Sequence, residues 1–115
     1  MIYEMSLNPE PFELIKSGKK TIEIRIYDEK RRKVKVGDYI IFSKLPDKVE
    51  KIKVQVIGLS IFASFRDLFA NFDKSKFGHD QKLSIEEQIA KQYEHYTPEE
   101  EQLYGVVGIH IKLIK

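Results

Sequence analysis

Lys20, Glu23 and Arg25 fall within one short run, Gly18-Lys19-Lys20-Thr21-Ile22-Glu23-Ile24-Arg25. Ile22, Ile24 and Ile26 alternate with Thr21, Glu23 and Arg25, and a period of two predicts a strand over Lys20 to Ile26. Glu23 and Arg25 therefore project from one strand face and reach a common ligand. Lys20 has the opposite parity, but it enters from a turn, where parity lapses and a long ammonium stem swings onto the same face. One carboxylate acceptor and two cationic donors meeting at a point read a polar ring, a phosphate, or a carbonyl that turns negative during reaction. The plainer alternative is an exposed ion pair on a solvated strand, worth about 0–1 kcal/mol.

Other chemistry-bearing residues are sparse. His79, His95 and His110 show no pair four apart and no HExxH frame, so the sequence predicts no metal site. It predicts no cofactor either: no Gly-x-Gly-x-x-Gly and no P-loop is present. With no Gly-x-Ser-x-Gly elbow and no cysteine, a serine triad or a thiolate nucleophile has no support. Phe65, Phe69 and Phe72 have helical spacing and read as core. Tyr27, Tyr39, Tyr93, Tyr96 and Tyr104 are harder to place. Tyr104, beside Gly105 at the start of the last expected strand, is the candidate to stack on a base at a cleft rim. Its alternative is a half-buried packing residue.

These residues need a scaffold. Ile2 to Leu7 reads as a first strand. Asn8-Pro9-Glu10 opens a short helix, with Asn8 expected to accept a free amide and Pro9 losing nothing at the first helical position. Gly18 ends it. Tyr27 to Lys35 reads as a polar loop or hairpin tip, and Tyr39 to Ser43 and Glu50 to Leu59 as strands. Ser64 caps a helix bearing Phe65, Leu68, Phe69 and Phe72. Asp73 to Lys82 reads as a loop. Ser84 with Glu87 forms a capping box, before a helix showing Ile85, Ile89, Tyr93 and Tyr96 on one face. Thr97-Pro98-Glu99-Glu100 repeats the start signal, and Tyr104 to Ile114 closes the chain as a long strand.

The whole is α+β: a small, mixed but mostly antiparallel sheet or barrel with short flanking helices. Alternating strands do not suit a doubly wound parallel sheet, whose strands are apolar on both faces. At 115 residues and 42% hydrophobic composition the chain fits one domain, residues 1–115, with one modest core. No apolar run approaches the length of a membrane span, and no basic-then-apolar leader opens the chain. The absence of cysteine suits a reducing compartment, so a cytoplasmic location is expected.

Net charge is only +2, yet its distribution is uneven. Lys16 to Lys35 holds nine basic and three acidic residues, a local charge of +6. Ser84 to Gln102 holds six acids and one base, a local charge of −5. The basic stretch attracts phosphates, or else simply keeps a loop solvated. The acidic helix reads as a solvent-facing amphipathic element that screens one side of a cleft and favours a small ligand over long duplex RNA.

The run Gly18-x-Lys20-x-x-Glu23-x-Arg25 after a short helix resembles the signature of the ASCH (activating signal cointegrator homology) domain, a family of the PUA-like superfamily. Val36-Gly37-Asp38-Tyr39-Ile40-Ile41-Phe42, Val54-Gln55-Val56-Ile57, Ser64-Phe65-Arg66-Asp67-Leu68 and Tyr104-Gly105-Val106-Val107-Gly108-Ile109 continue the resemblance in order over nearly the whole chain. It implies a β-barrel of about five or six strands with flanking helices, and a cleft lined by Lys20, Glu23 and Arg25. It also implies RNA-related, coactivator or translation-linked roles and, in some bacterial branches, hydrolysis. One branch removes the acetyl group of acetylcytidine; there a Lys matches Lys20, but a Thr stands where this chain has Glu23. Another is similar to a ribonuclease.

Two function classes follow. In a binding module, Lys20 and Arg25 contact phosphate or sugar while Glu23 accepts from the exocyclic amine of a base, so the partner is RNA or a nucleoside- or nucleotide-like ligand. In a small hydrolase acting on a nucleoside amide or a phosphodiester, Glu23 is the general base and Lys20 or Arg25 steadies the developing anion. A protein-interaction domain using the same charged face is the third alternative.

Overall fold

A computed structural model describes residues 1–114. The chain opens with β1 (Ile2–Leu7), α1 (Pro9–Lys16) and β2 (Ile22–Ile26). Asn8 holds the extended N-cap conformation, but its side chain makes no cap hydrogen bond, contrary to the sequence expectation; Pro9 alone marks the start. Gly18 at φ +81° turns the chain out of α1, where the left-handed conformation costs a residue without Cβ nothing. The strand begins at Ile22 rather than Lys20, because the amides of Lys19 and Lys20 are both committed to the carbonyl of Leu14.

The expected polar loop after β2 contains a single helical turn, α2 (Glu29–Arg32). Asp28 caps it, accepting from the Arg31 amide at 3.1 Å and from Arg31 Nη1 at 2.8 Å. β3 (Tyr39–Lys44) and β4 (Lys51–Phe62) follow. β4 outruns its expected end at Leu59 because an irregularity between Val56 and Gly58 restores its register on the last strand. Ser64 caps α3 (Phe65–Asn71) as expected, accepting from the Asp67 amide. A 3₁₀ turn (Lys74–Phe77) sits within the expected loop. α4 (Ile85–Gln92) and α5 (Pro98–Tyr104) each carry a complete capping box, from Ser84 with Glu87 and from Thr97 with Glu100. The closing strand β5 (Val106–Leu113) starts two residues later than expected, and Tyr104 is the last residue of α5.

The strands form one sheet in the order β1-β3-β4-β5-β2. Only β1 and β3 pair in parallel; the other neighbours are antiparallel. β1 and β2 are thus the two edges. Arg25 on β2 nonetheless donates from Nη2 to the Ser6 carbonyl of β1 at 3.2 Å. That contact requires the sheet to curl until its unpaired edges face each other, giving a half-barrel with an open seam.

Two apolar clusters lie on opposite faces of this sheet. Phe12, Ile40, Phe42, Val54 and Ile109 belong to the first, which α1 covers. Ile22, Ile26, Phe65, Leu68 and Phe77 belong to the second, beneath α3 and the 3₁₀ turn. β2 is buried on both faces: its isoleucines join the second cluster, while Glu23 and Arg25, opposite Ile109 and Val107, border the first. The strand is therefore enclosed, which rules out the plainer alternative of an ion pair on a solvated face, and its polar side faces a cavity.

Candidate functional site

The cavity opens at the seam. α1 and the end of β1 form one wall, β2 another, and the segment after the 3₁₀ turn and the C-terminal end of α4 complete it. Its volume is about 540 Å³. Lys20, Glu23, Arg25, His79, Gln92 and Tyr96 line it. A volume of this size lies within the roughly 300–1,000 Å³ of small-molecule pockets.

Glu23 is the hub. Its Oε1 lies 3.0 Å from Lys20 Nζ, and its Oε2 lies 2.7 Å from Arg25 Nη2 and accepts from Arg25 Nε at 2.9 Å. The side chains are 9% (Lys20), 5% (Glu23) and 13% (Arg25) exposed, so this is a buried triad and not a surface pair. Burial by itself would raise the carboxyl pKa. The fields of Lys20 and Arg25, and the hydrogen bonds both donate, outweigh burial and bring it down to about 2. On Arg25, burial opposes the charged form, while Glu23 and Tyr96 hold the proton more firmly than usual. Lys20 reaches the carboxylate from outside the strand because the turn that follows α1, not the pleat of β2, sets its direction.

The second half of the lining comes from distant sequence. The phenol of Tyr96 is pushed up by burial, with Arg25 opposing and Glu23 adding to the shift, so it is a neutral donor at pH 7. Gln88 Nε2 lies 3.0 Å from His79 Nδ1. An amide nitrogen only donates, so Nδ1 accepts and the neutral ring carries its hydrogen on Nε2. Burial, with Lys20 and Lys91 nearby, lowers the His79 pKa to about 4. The charged lining residues balance: Glu10, Glu23 and Glu94 against Lys20, Arg25 and Lys91.

The sequence brought Lys20, Glu23 and Arg25 forward, and the fold gathers all three. It does not gather Tyr104 with them. That ring packs against the second apolar cluster, and its backbone carbonyl accepts from Arg32 Nη2 at 3.1 Å. The physical reason is helical: Tyr104 ends α5 instead of beginning β5, which turns it away from the seam. Tyr96 is the tyrosine in the cavity wall. The sequence reading missed Gln92. The available signal was Gln88 and Gln92, four apart on a short helix, which pack inward more fully than the Ile85 and Ile89 expected there. His95 also lines the cavity, while His110 bonds Ser60 Oγ at 2.8 Å outside it. Among the described residues, no three His, Asp or Glu side chains are grouped to hold a metal ion.

Known proteins share this arrangement of elements. The chain is 42% identical to the hypothetical protein PH0355, known from a crystal structure, with a TM-score of 0.87 over 99% of this chain and 100% of that one. It is 39% identical to PF0455 from Pyrococcus furiosus, known from a solution structure, with a TM-score of 0.77 over 100% of this chain and 99% of that one. A mutant of ZmASCH from Zymomonas mobilis has the same fold at 20% identity, with a TM-score of 0.62 over 95% of this chain and 66% of that one. No protein with a curated description matches the sequence. The model of the ASCH domain matches residues 5–115, so the chain belongs to the ASCH domain family.

Proposed function

We propose that the chain is an RNA-directed binding module whose seam cavity receives a single nucleoside unit. The observation that carries this reading is the buried Lys20–Glu23–Arg25 triad facing a charge-balanced cavity of about 540 Å³. A pocket with equal numbers of acids and bases does not favour a highly charged anion. It suits a neutral, polar, flat group that both donates and accepts. Glu23 Oε1, contacted by Lys20 alone, retains acceptor capacity for an exocyclic amine. Lys20 Nζ keeps donors beyond the one it gives Glu23, and these suit a ring carbonyl or a sugar hydroxyl. The Tyr96 ring offers a stacking face and the His79 Nε2–H a further donor.

Titration with ribonucleosides and short single-stranded RNA, followed by calorimetry, tests the reading. Saturable binding is expected. Tyr96→Ala is expected to weaken it by about 1–3 kcal/mol through loss of base stacking. Glu23→Gln is expected to weaken it roughly tenfold to a hundredfold, in line with a hydrogen bond to a charged group. Failure of every ribonucleoside and RNA to bind the folded wild type would overturn the proposal.

The hydrolase alternative uses the same cleft. It asks Glu23 to act as general base, and efficient bases have pKa values near the working pH. A carboxylate at about 2, held by two cations, is a weak base at neutrality. Binding is therefore the better-supported use of the triad. Product release from N-acetylated nucleosides or RNA, abolished by Glu23→Gln, would reverse that preference.

A further inference from the structure

A second hollow, of about 440 Å³, lies across the seam from the first. Arg25 and Ser6 line both hollows, so the Arg25-to-Ser6 hydrogen bond is the partition between them. Its chemistry differs from that of its neighbour. Arg25, Lys30, Arg31, Lys48 and Lys51 line it against one acid, Glu4. Arg25 is paired with Glu23, and Arg31 with Asp28 at 2.8 Å. Lys30, Lys48 and Lys51 are exposed and make no salt bridge among the described residues.

Three further details belong to this trough. Within the basic stretch Lys16 to Lys35, Lys30, Arg31 and Arg32 lie in α2, which presents Lys30 and Arg31 to the trough from a fixed helical turn. Lys48 holds φ +60°, a left-handed conformation uncommon for a residue with a side chain. The Nε of Arg31 is buried without an acceptor, although the same guanidinium is anchored to Asp28 through Nη1. Three unneutralised ammonium groups beside a preset guanidinium form an anion-binding surface.

We propose that this basic trough is the phosphate subsite of the same ligand. The proposal rests on the reading of the seam cavity as a nucleoside pocket. The ligand then straddles the Arg25 partition: its base and sugar occupy the balanced cavity, and the phosphate attached to the sugar lies among Lys30, Lys48 and Lys51. The two hollows divide the work, one reading the neutral part of a nucleotide and the other its charge. Phosphate contacts of this kind position a ligand and make its binding salt-dependent, while base contacts specify it.

The test compares three classes of probe: the four common ribonucleosides, their 3′- and 5′-monophosphates, and a mixed-sequence RNA hexamer. Each is titrated against the wild type, against Lys30→Ala/Lys48→Ala/Lys51→Ala, and against a control with three exposed lysines elsewhere replaced, Lys35→Ala/Lys82→Ala/Lys112→Ala. The wild type is expected to bind a monophosphate at least tenfold more tightly than its nucleoside. The trough variant should lose that difference, and the control should keep it. For the hexamer, the slope of log affinity against log salt should shrink by about 2 in the trough variant, from about 0.7 per strand phosphate contact. A further gain from monophosphate to hexamer identifies a strand backbone as the source of the phosphate; equal affinities identify a terminal phosphate. If nucleosides bind and phosphate adds nothing, or if the trough variant keeps the full difference, the trough proposal is overturned and the nucleoside pocket stands. If no probe binds the wild type, both fail together.

Discussion

Glu23 is a carboxylate that folding moves from water into contact with two cations, and its titration records that move. Its folded pKa of about 2 lies below the ordinary 4.5. Stability from the ionised form is therefore fully present above about pH 4.5 and is lost as pH falls towards 2, an amount on the order of 3 kcal/mol. His79 titrates in a higher window. Its folded pKa of about 4 lies below the usual 6.5, so on acidification the unfolded chain takes up a proton before the folded one. Stability held by the neutral ring is lost as pH falls from 6.5 towards 4. Chemical denaturation across pH 2–7 should therefore show two separate declines. His79→Gln should flatten the upper decline and Glu23→Gln the lower one. Glu23→Gln also leaves two buried cations without their counter-charge, and an overall loss of about 3–5 kcal/mol is expected at pH 7. A single decline that neither substitution alters would contradict this account of the triad and its histidine.

At the scale of elements, the site depends on junctions more than on the strands and helices themselves. Gly78 follows the 3₁₀ turn at φ +74°, and a Cβ there would lie 2.9 Å from Leu14 Cδ1 and 3.3 Å from Lys20 Cβ. The turn packs against α1 and Lys20 only because that side chain is missing. Gly78→Ala should cost about 1–2 kcal/mol from the left-handed backbone alone. By pressing on Lys20 it should weaken ligand binding as well, which calorimetry and thermal denaturation together would show. Glu101 makes a different junction. Buried in α5, it accepts the Phe65 amide at the start of α3 at 2.7 Å and the hydroxyl of Tyr93. Glu101→Ala strands a buried amide and should cost about 1–3 kcal/mol without changing ligand affinity, since Glu101 does not line the cavity. Three of these elements were plain in the sequence because their signals are local. Ser64, Ser84 with Glu87, and Thr97 with Glu100 each satisfy their helix's first amides within four residues. α2 was missed because a four-residue helix with no buried residue has no apolar period to detect.

For the molecule as a whole, the governing feature is a sheet that curls without closing. β1 and β2 leave their outer edges unpaired with each other, and Arg25 ties them through Ser6. The seam is thereby both the opening to the cavity and the partition beside the basic trough. Edges held by a side chain open more readily than a continuous ladder. Arg25→Lys, which removes the fork that reaches Glu23 and Ser6 together, should speed hydrogen exchange in β1 and β2 and leave the β4–β5 centre unchanged. Uniform acceleration in all five strands would show that the seam does not act as a separate unit. The uneven charge of the chain also finds its place at this scale. Lys30 and Arg31 stand at the trough, and Glu94, which follows the acidic helix, stands at the cavity wall.

Sequence alone determined which residues share a strand face, where four of the five helices begin, and that Glu23 and Arg25 point together. These follow from the fixed pleat of a strand and from caps that act within a few residues. Tertiary structure alone decided that the triad of Lys20, Glu23 and Arg25 is buried, and that Tyr96, not Tyr104, borders it. The curl that brings β2 against β1, and the packing that lays His79 and Gln92 over the seam, join segments far apart in the chain. A side chain's direction is set by its own backbone, but its surroundings are set by how distant strands and helices pack, and no local pattern encodes that.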